Sequence, residues 1–476
     1  MSPNFLDSRS GVMLSSTAAA VVVAVAVAST AKGLSAIAAV AALPVALGGG
    51  LLLAIRPEAL LLLIIATRAA IDPVLEGLKA AGGASPGAAI NAVMIALLVA
   101  MLIRRPWPLL NLRVLAWVPF IALAVVAMRA APESAQPLRV FLIYLTYLAA
   151  FAMPFAVLTR AGDARSLIAT VIIASIVPTI GGLIQVAQGG MPVPEPDGLL
   201  TEEGAQGPVD YTGFRIEGVF NHPNIYGCFL VTLIAALLYA IHHLRASGEH
   251  RSRRTLELYL VVQVGLLLAT QTRSAWVAAA VLFVAMGMFA ERRYLGYMLI
   301  ALPLLLLVPV VQDRVVDAFM GTRATTAGVD EQLTSFAWRL QMWQAAAEWI
   351  AERPILGWGL NSYTEYSGIF FPYDPTKAYD AHNVFVQFAF ELGVPGAIAF
   401  AGIFLAGMFA SWKGWRRHRP ETVVASALTI GFLMTCYSDN VQYYLVANWY
   451  TFFLLGTLHA CMCSKRDRAN VTRVKG

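Results

Sequence analysis

The sequence predicts an all-α, polytopic integral membrane protein with roughly 12–14 transmembrane helices. Three observations predict it. Of its 476 residues, 58% are hydrophobic and 13% charged, about half the charged share of a soluble domain. Apolar runs long enough to span or nearly span a bilayer recur along the chain. Basic residues gather in the short connections between those runs. Residues 1–476 therefore read as a single membrane domain, in which helices associate by packing and polar contacts in lipid.

The runs fall in order at about 12–31, 34–55, 58–71, 87–103, 112–130, 138–158, 166–188, 223–243, 256–271, 274–290, 294–311, 390–411, 421–439 and 442–461. The first follows a polar start, Met1 to Ser10, and reads as a helix that stays attached, not as a cleaved signal. The segment 58–71 is short and ends in Thr67-Arg68. Arg104-Arg105, Arg245 with Arg251, Arg253 and Arg254, Arg292-Arg293, Lys413 with Arg416, Arg417 and Arg419, and a basic tail mark the turns. Counting spans puts these groups on one face. By the positive-inside rule that face is the cytoplasm, with both termini on it. The net charge of +6 is thus an orientation signal and marks no nucleic-acid site. Cys228, Cys436, Cys461 and Cys463 lie in or beside apolar runs and read as core residues, neither a disulfide framework nor a zinc site.

The opposite face, the periplasmic one, carries two long loops. The first, 189–222, holds six acidic residues and one basic residue, Arg215. The second, 312–389, contains an amphipathic helix at about 335–351, with Phe336, Leu340, Trp343, Ala347 and Ile350 as its apolar stripe. Trp343 and Trp349 would then sit at the membrane interface. Arg353-Pro354 ends the helix, and Gly357-Trp358-Gly359 turns the chain back. Near the end of this loop Asp380 or Asn383 can cap a short apolar helix. A Gly-Val-Pro-Gly break and a long apolar run follow it. Loops of this length usually carry function.

Three patches share the outer face. Arg215 opens the first, Arg215-Ile216-Glu217-Gly218-Val219-Phe220-Asn221-His222-Pro223-Asn224. Arg273 sits in the tight turn Thr270-Gln271-Thr272-Arg273-Ser274. His382 stands at a helix start, where backbone N–H groups favour an anion. Charge at this depth is costly and usually functional. Two arginines suit a pyrophosphate, because the guanidinium stays charged and binds oxygens bidentately. Histidine adds a proton acceptor. The set reads as a phosphate-holding, acid–base site facing the periplasm, where the expected phosphate is on a lipid carrier. There is no Walker A motif, no Gly-rich dinucleotide loop and no His/Cys cluster. Glu202-Glu203 has no third ligand nearby. We expect no cofactor and no metal.

The motifs Arg-Ile-x-Gly-x-Phe-x-x-Pro-Asn at 215–224, the turn at 270–274, Arg339 and Trp343, Pro354 to Gly359, His382-Asn383 and Glu391-Leu392-Gly393-Val394-Pro395-Gly396 together resemble the O-antigen ligase and O-antigen polymerase superfamily. The resemblance implies a C-type glycosyltransferase-like fold in a bacterial inner membrane. It implies transfer of a glycan from undecaprenyl pyrophosphate to an acceptor glycan or lipid core, without metal and with inversion. It carries catalytic roles onto Arg215, Arg273 and His382, and substrate binding onto Arg339, Asn224 and Asn383. His382 is either the base or a phosphate ligand. Polymerisation of O-antigen or exopolysaccharide repeat units is preferred. Ligation of finished polymer to lipid A-core or protein is the alternative, and a lipid-linked oligosaccharide flippase is the rival of another class. Such an enzyme could work beside a flippase and a chain-length regulator.

Overall fold

The computed structural model describes residues 56–80, 86–158, 161–192, 214–307, 312, 322–324, 331–333, 335–371 and 378–463. The expected spans at 12–31 and 34–55, the Glu202-Glu203 pair and the basic tail lie outside them. The described residues form a helical bundle. Its elements are α1 (Pro57–Ala80), α2 (Pro86–Arg104), α3 (Leu112–Leu115), α4 (Trp117–Ala127), α5 (Pro137–Val157), α6 (Ala161–Ala174), α7 (Ile176–Ala187), α8 (Pro223–Ala246), α9 (His250–Ala269), α10 (Arg273–Phe289), α11 (Arg293–Leu305), α12 (Ser335–Glu352), α13 (Tyr363–Phe370), α14 (Val384–Leu392), α15 (Val394–Trp412), α16 (Arg419–Ser438) and α17 (Leu445–Cys461). Two short antiparallel pairs accompany them. β1 (Met191–Pro192) pairs with β2 (Phe214–Arg215), and β3 (Thr322–Ala324) pairs with β4 (Glu331–Leu333). Among the described residues, six helical stretches are long and apolar enough to cross a membrane, and three shorter apolar ones accompany them.

The expected elements differ from the observed ones at their ends. The run at 58–71 belongs to a 24-residue helix that continues to Ala80, because Arg68 pairs with Asp72 at 2.6 Å one turn on. The run expected at 390–411 begins at Val394, since Gly393 has φ +75° and interrupts the helix.

α8 and α17 form the centre. α8 is buried along nearly its whole length, from Tyr226 to Ile241. α17 is buried from Val446 to Ala460. Both are apolar all round, as a helix enclosed by others must be. Hydroxyl and indole groups tie them to neighbours. The Trp449 Nε1–H donates to Thr146 Oγ1 at 2.8 Å, Tyr450 OH donates to the Ile65 carbonyl at 2.6 Å, and the Thr232 and Thr451 hydroxyls meet at 2.7 Å. Gly456 lets α17 touch α5, because a Cβ there would strike the Phe151 carbonyl. Small residues and interhelical hydrogen bonds are what hold helices together in lipid.

One backbone knot positions the outer elements. Trp358 N–H donates to the Phe390 carbonyl at 2.8 Å, Gly359 N–H to the Glu391 carbonyl at 3.0 Å, and Val394 N–H to the Pro354 carbonyl at 2.8 Å. Gly357 and Gly359 both have positive φ, and a Cβ on either would collide with backbone of another segment. The Pro354–Gly359 turn is therefore locked onto the α14–α15 break.

α12 occupies the expected range, and its buried face is shifted from the expected stripe, of which Trp343 and Ile350 still pack against the buried cluster. Met342 and Ala346 are fully buried and Trp349 packs with them, whereas Leu340 is 45% exposed and Ala347 is exposed. Phe336 lies outside the residues whose side chains are described. Two apolar stripes one residue apart compete on this helix. The one that packs is the one whose Trp349 ring meets Trp358 at 4.7 Å and Phe390 at 6.1 Å. Trp349 thus packs, half-buried, against Trp358 and Phe390.

Candidate active site

Arg215 is placed by three segments. It lies on β2, and the following loop is gripped by Gln185 of α7. The Gln185 Oε1 accepts Glu217 N–H at 2.9 Å and Gly218 N–H at 2.8 Å, and its Nε2 donates to the Gly218 carbonyl at 3.0 Å. Gly218 takes φ +61° to make the bend. Ile216 N–H then donates to the Ala269 carbonyl at 3.3 Å, which brings β2 against the α9–α10 turn. The guanidinium makes three described bonds there. Nε donates to the Thr270 carbonyl at 2.8 Å, and Nη2 donates to Asn224 Oδ1 at 3.0 Å and Thr272 Oγ1 at 3.2 Å.

Asn224 extends the chain of contacts. It is the second residue of α8, whose start is capped by His222 Nδ1 accepting Asn224 N–H at 3.1 Å. Its Nδ2 donates to Asp439 Oδ2 at 2.6 Å. The other oxygen of Asp439 lies 3.6 Å from His382 Nδ1, too long for a hydrogen bond but within ion-pair range. His382 has φ +47°, a conformation that costs a bulky residue on the order of 1–3 kcal/mol and that concentrates at functional sites. Asn383 follows as the N-cap of α14, its Oδ1 accepting Phe385 N–H at 2.9 Å and Val386 N–H at 3.2 Å. This cap directs the first turn of α14 and holds His382 just outside the helix. Trp343 of α12 steadies the same loop, its Nε1–H donating to the Ala381 carbonyl at 2.6 Å.

Arg339 of α12 donates from Nη1 to the Ser438 carbonyl at 2.6 Å, one residue from Asp439. Arg273 is the first residue of α10 and directly follows Thr272, whose hydroxyl Arg215 meets. The structure thus joins Arg215, Asn224 and His382 through Asp439, sets Arg339 beside it, and puts Arg273 at the end of the turn that Arg215 grips. Asn383 acts locally, as a cap.

Sequence reasoning missed Asp439. It sits in the short turn between α16 and α17, 4% exposed. Burial would raise its carboxyl, but His382, the Arg339 charge and the Tyr444 hydroxyl outweigh burial and hold it well below the usual carboxylate range. An aspartate at the end of an apolar run was the available signal. His222 is lowered, first by burial and then by the Arg215 and His382 charges, against the pull of Asp439. Two arginines, two histidines and one buried carboxylate therefore share one electrostatic unit. Such a unit can hold an anion and accept a proton beside it.

Residues 258–401 match the family model described as O-antigen ligase. Over these residues the chain is similar to the O-antigen ligase family. The resemblance to the O-antigen ligase and polymerase superfamily drawn from the motifs holds, and with it an O-antigen ligase- or polymerase-like function. No curated protein matches the chain. The O-antigen ligase match takes in Arg273, Arg339, His382, Asn383 and Glu391. Arg215, Asn224 and Asp439 lie outside it and join the site through the contacts above.

Proposed function

We propose that the protein transfers a glycan from undecaprenyl pyrophosphate to an acceptor glycan on the periplasmic face of the inner membrane. The observation that supports this most is the linked series Arg215–Asn224–Asp439–His382, which puts a cation and a proton acceptor on either side of one ionised carboxylate. Arg215 and Arg273 hold the pyrophosphate and stabilise its charge as it leaves. Asp439 faces His382 Nδ1 at 3.6 Å as a counter-charge to the imidazolium that forms, which leaves Nε2 to take the proton of the acceptor hydroxyl. The acceptor oxygen then bonds to the anomeric carbon, and the bond from that carbon to the pyrophosphate oxygen breaks. The lipid pyrophosphate carries the electron pair away, with inversion and without a metal. Arg339, Asn224 and Asn383 complete the substrate-binding set.

The reaction is read as polymerisation of O-antigen or exopolysaccharide repeat units. Ligation of a finished polymer to lipid A-core is the second reading, favoured by the description of the matched family. Purified protein in sealed vesicles with labelled lipid-linked glycan tests the class. Joining of glycans, unaffected by EDTA, is expected. Movement of the donor across the bilayer without joining would make the protein a flippase, and loss of activity that magnesium restores would put a metal in the site.

A further inference from the structure

At the far end of α8 from Asn224, a second charged site is built into the bundle. α8 has 24 residues, so its two ends lie about 36 Å apart. Here the ends of α8 and α10 and the start of α11 enclose a cleft of about 320 Å³, lined by His242, Arg245, Ala246, Glu291, Arg292 and Arg293. Glu291 is its fixed centre. His242 Nδ1 lies 2.8 Å from one carboxylate oxygen, and Arg245 Nη1 and Arg293 Nε lie 3.0 and 2.6 Å from the other. Arg293 also pairs with Glu257 at 2.8 Å. The three arginines outnumber the two carboxylates. The Arg292 guanidinium is exposed and makes no hydrogen bond or ion pair with the described residues.

The surroundings are those of a bilayer boundary. Met288 and Phe289, just before Glu291, are 58% and 37% exposed. The Phe289 ring meets Trp415 at 5.7 Å, and Trp415 stacks on Trp412 at 4.9 Å, nearly parallel at 8°. The Arg419 guanidinium sits 5.6 Å from the Trp415 ring. Tryptophans of this kind settle at headgroup level. A recess with one unspent guanidinium, a second arginine held in place by a carboxylate, and an apolar shelf beside it fits a molecule with one phosphate and an acyl chain.

We propose that this cleft binds the phosphodiester of an anionic glycerophospholipid of the surrounding leaflet, with Arg292 and Arg245 on the phosphate and the acyl chain along Met288 and Phe289. A soluble phosphate would meet the same guanidinium groups and lack the shelf. The site is independent of the glycan reading.

Native mass spectrometry of the purified full-length chain, released from neutral detergent, tests it. Phosphatidylglycerol is expected to leave at least fivefold more bound lipid than phosphatidylcholine of the same chains. Arg292→Gln and the Arg245→Gln/Arg292→Gln pair should bring phosphatidylglycerol down to the phosphatidylcholine level. Arg251→Gln/Arg254→Gln removes the same charge nearby and should leave it unchanged. Millimolar inorganic phosphate should not displace the lipid. Equal retention by wild type and Arg292→Gln, equal loss in the control pair, or displacement by free phosphate would each overturn the assignment.

Discussion

Arg215 spends its Nε and Nη2 hydrogens on three oxygens from two places in the chain, the 270–272 turn and Asn224. A lysine keeps the charge but cannot reproduce a planar fork. Arg215→Lys and Arg273→Lys should therefore lower glycan transfer by about 10²–10³-fold, the cost of one misplaced stabilising donor, at equal protein abundance in the membrane. Wild-type turnover by both would reduce the arginines to surface features. His382→Ala should lower transfer by about 10²–10⁴-fold. If the residue is the base, the variant still binds the lipid-pyrophosphate donor with near-native affinity, and a fall in donor affinity would make it a phosphate ligand instead. Asp439→Asn tests the counter-charge. It keeps the size, removes the carboxylate beside His382, and should reduce turnover with donor affinity little changed. Acidification is no substitute for that substitution. The Asp439 pKa is depressed in the fold, so the stability its ionisation contributes is present above the ordinary carboxylate value and is lost only as pH falls towards the depressed one. Arg215, Arg273 and His382 were legible in the sequence because a charged residue at an outer turn stands out from apolar neighbours. Asp439 was not, because the partner that explains it, Asn224, is 215 residues away.

At the scale of elements, α14 carries the outer architecture. It is 9 residues long, too short to cross a bilayer, and it buries Glu391 completely. Gln387 Nε2 donates to Glu391 Oε1 at 2.9 Å and to the Tyr443 hydroxyl. Gln442 Nε2 donates to Gln387 Oε1 at 2.9 Å. Burial nonetheless pushes the Glu391 carboxyl up to about 8, against hydrogen bonds from Gln387 and from the Asn361 and Tyr363 backbone. The sign follows. A carboxyl raised from about 4.5 to about 8 gives stability that is fully present below the unfolded value and is lost as pH rises through the folded one. Thermal unfolding in detergent should show the wild type losing stability between about pH 4.5 and 8, and Glu391→Gln should flatten that slope. A variant with the wild-type slope would show that Glu391 stays ionised. Gly393→Ala should be more damaging still, because a Cβ there meets the Ile355 carbonyl at positive φ. The Gly-Val-Pro-Gly break and the Asn383 cap could be read from residue types, since cap and turn chemistry is local. The buried face of α12 could not. Two apolar stripes one residue apart look alike in the sequence, and the aromatic partners on α13 and α14 choose between them.

For the whole molecule, the basic turns expect one orientation. Single cysteines replacing Gly204 and Gly328 in a cysteine-free background should react with an impermeant thiol reagent on intact spheroplasts, and one replacing Gly248 should not. The reverse pattern would invert the topology and turn the candidate site towards the cytoplasm. Helix class was legible in the sequence, because apolar length is a one-dimensional property, and among the described residues six of the apolar stretches are long enough to cross a membrane. The way α8 and α17 become the enclosed centre was not, since Gly456 against Phe151 and Thr232 against Thr451 are matches between distant segments.

The site also has two owners. Asn224, Thr270, Thr272 and Asp439 belong to helix ends and tight turns of the central bundle. Arg339 and His382 belong to the long outer segment folded over it, anchored by Trp343 and the glycine knot. The first group is fixed by the core and can change only if the core does. The second belongs to a segment held on the core through its own buried cluster, Met342, Ala346, Tyr363 and Phe390. On the proposed function, substitution in the outer segment would therefore change the acceptor side of the reaction more readily than the grip on the lipid carrier.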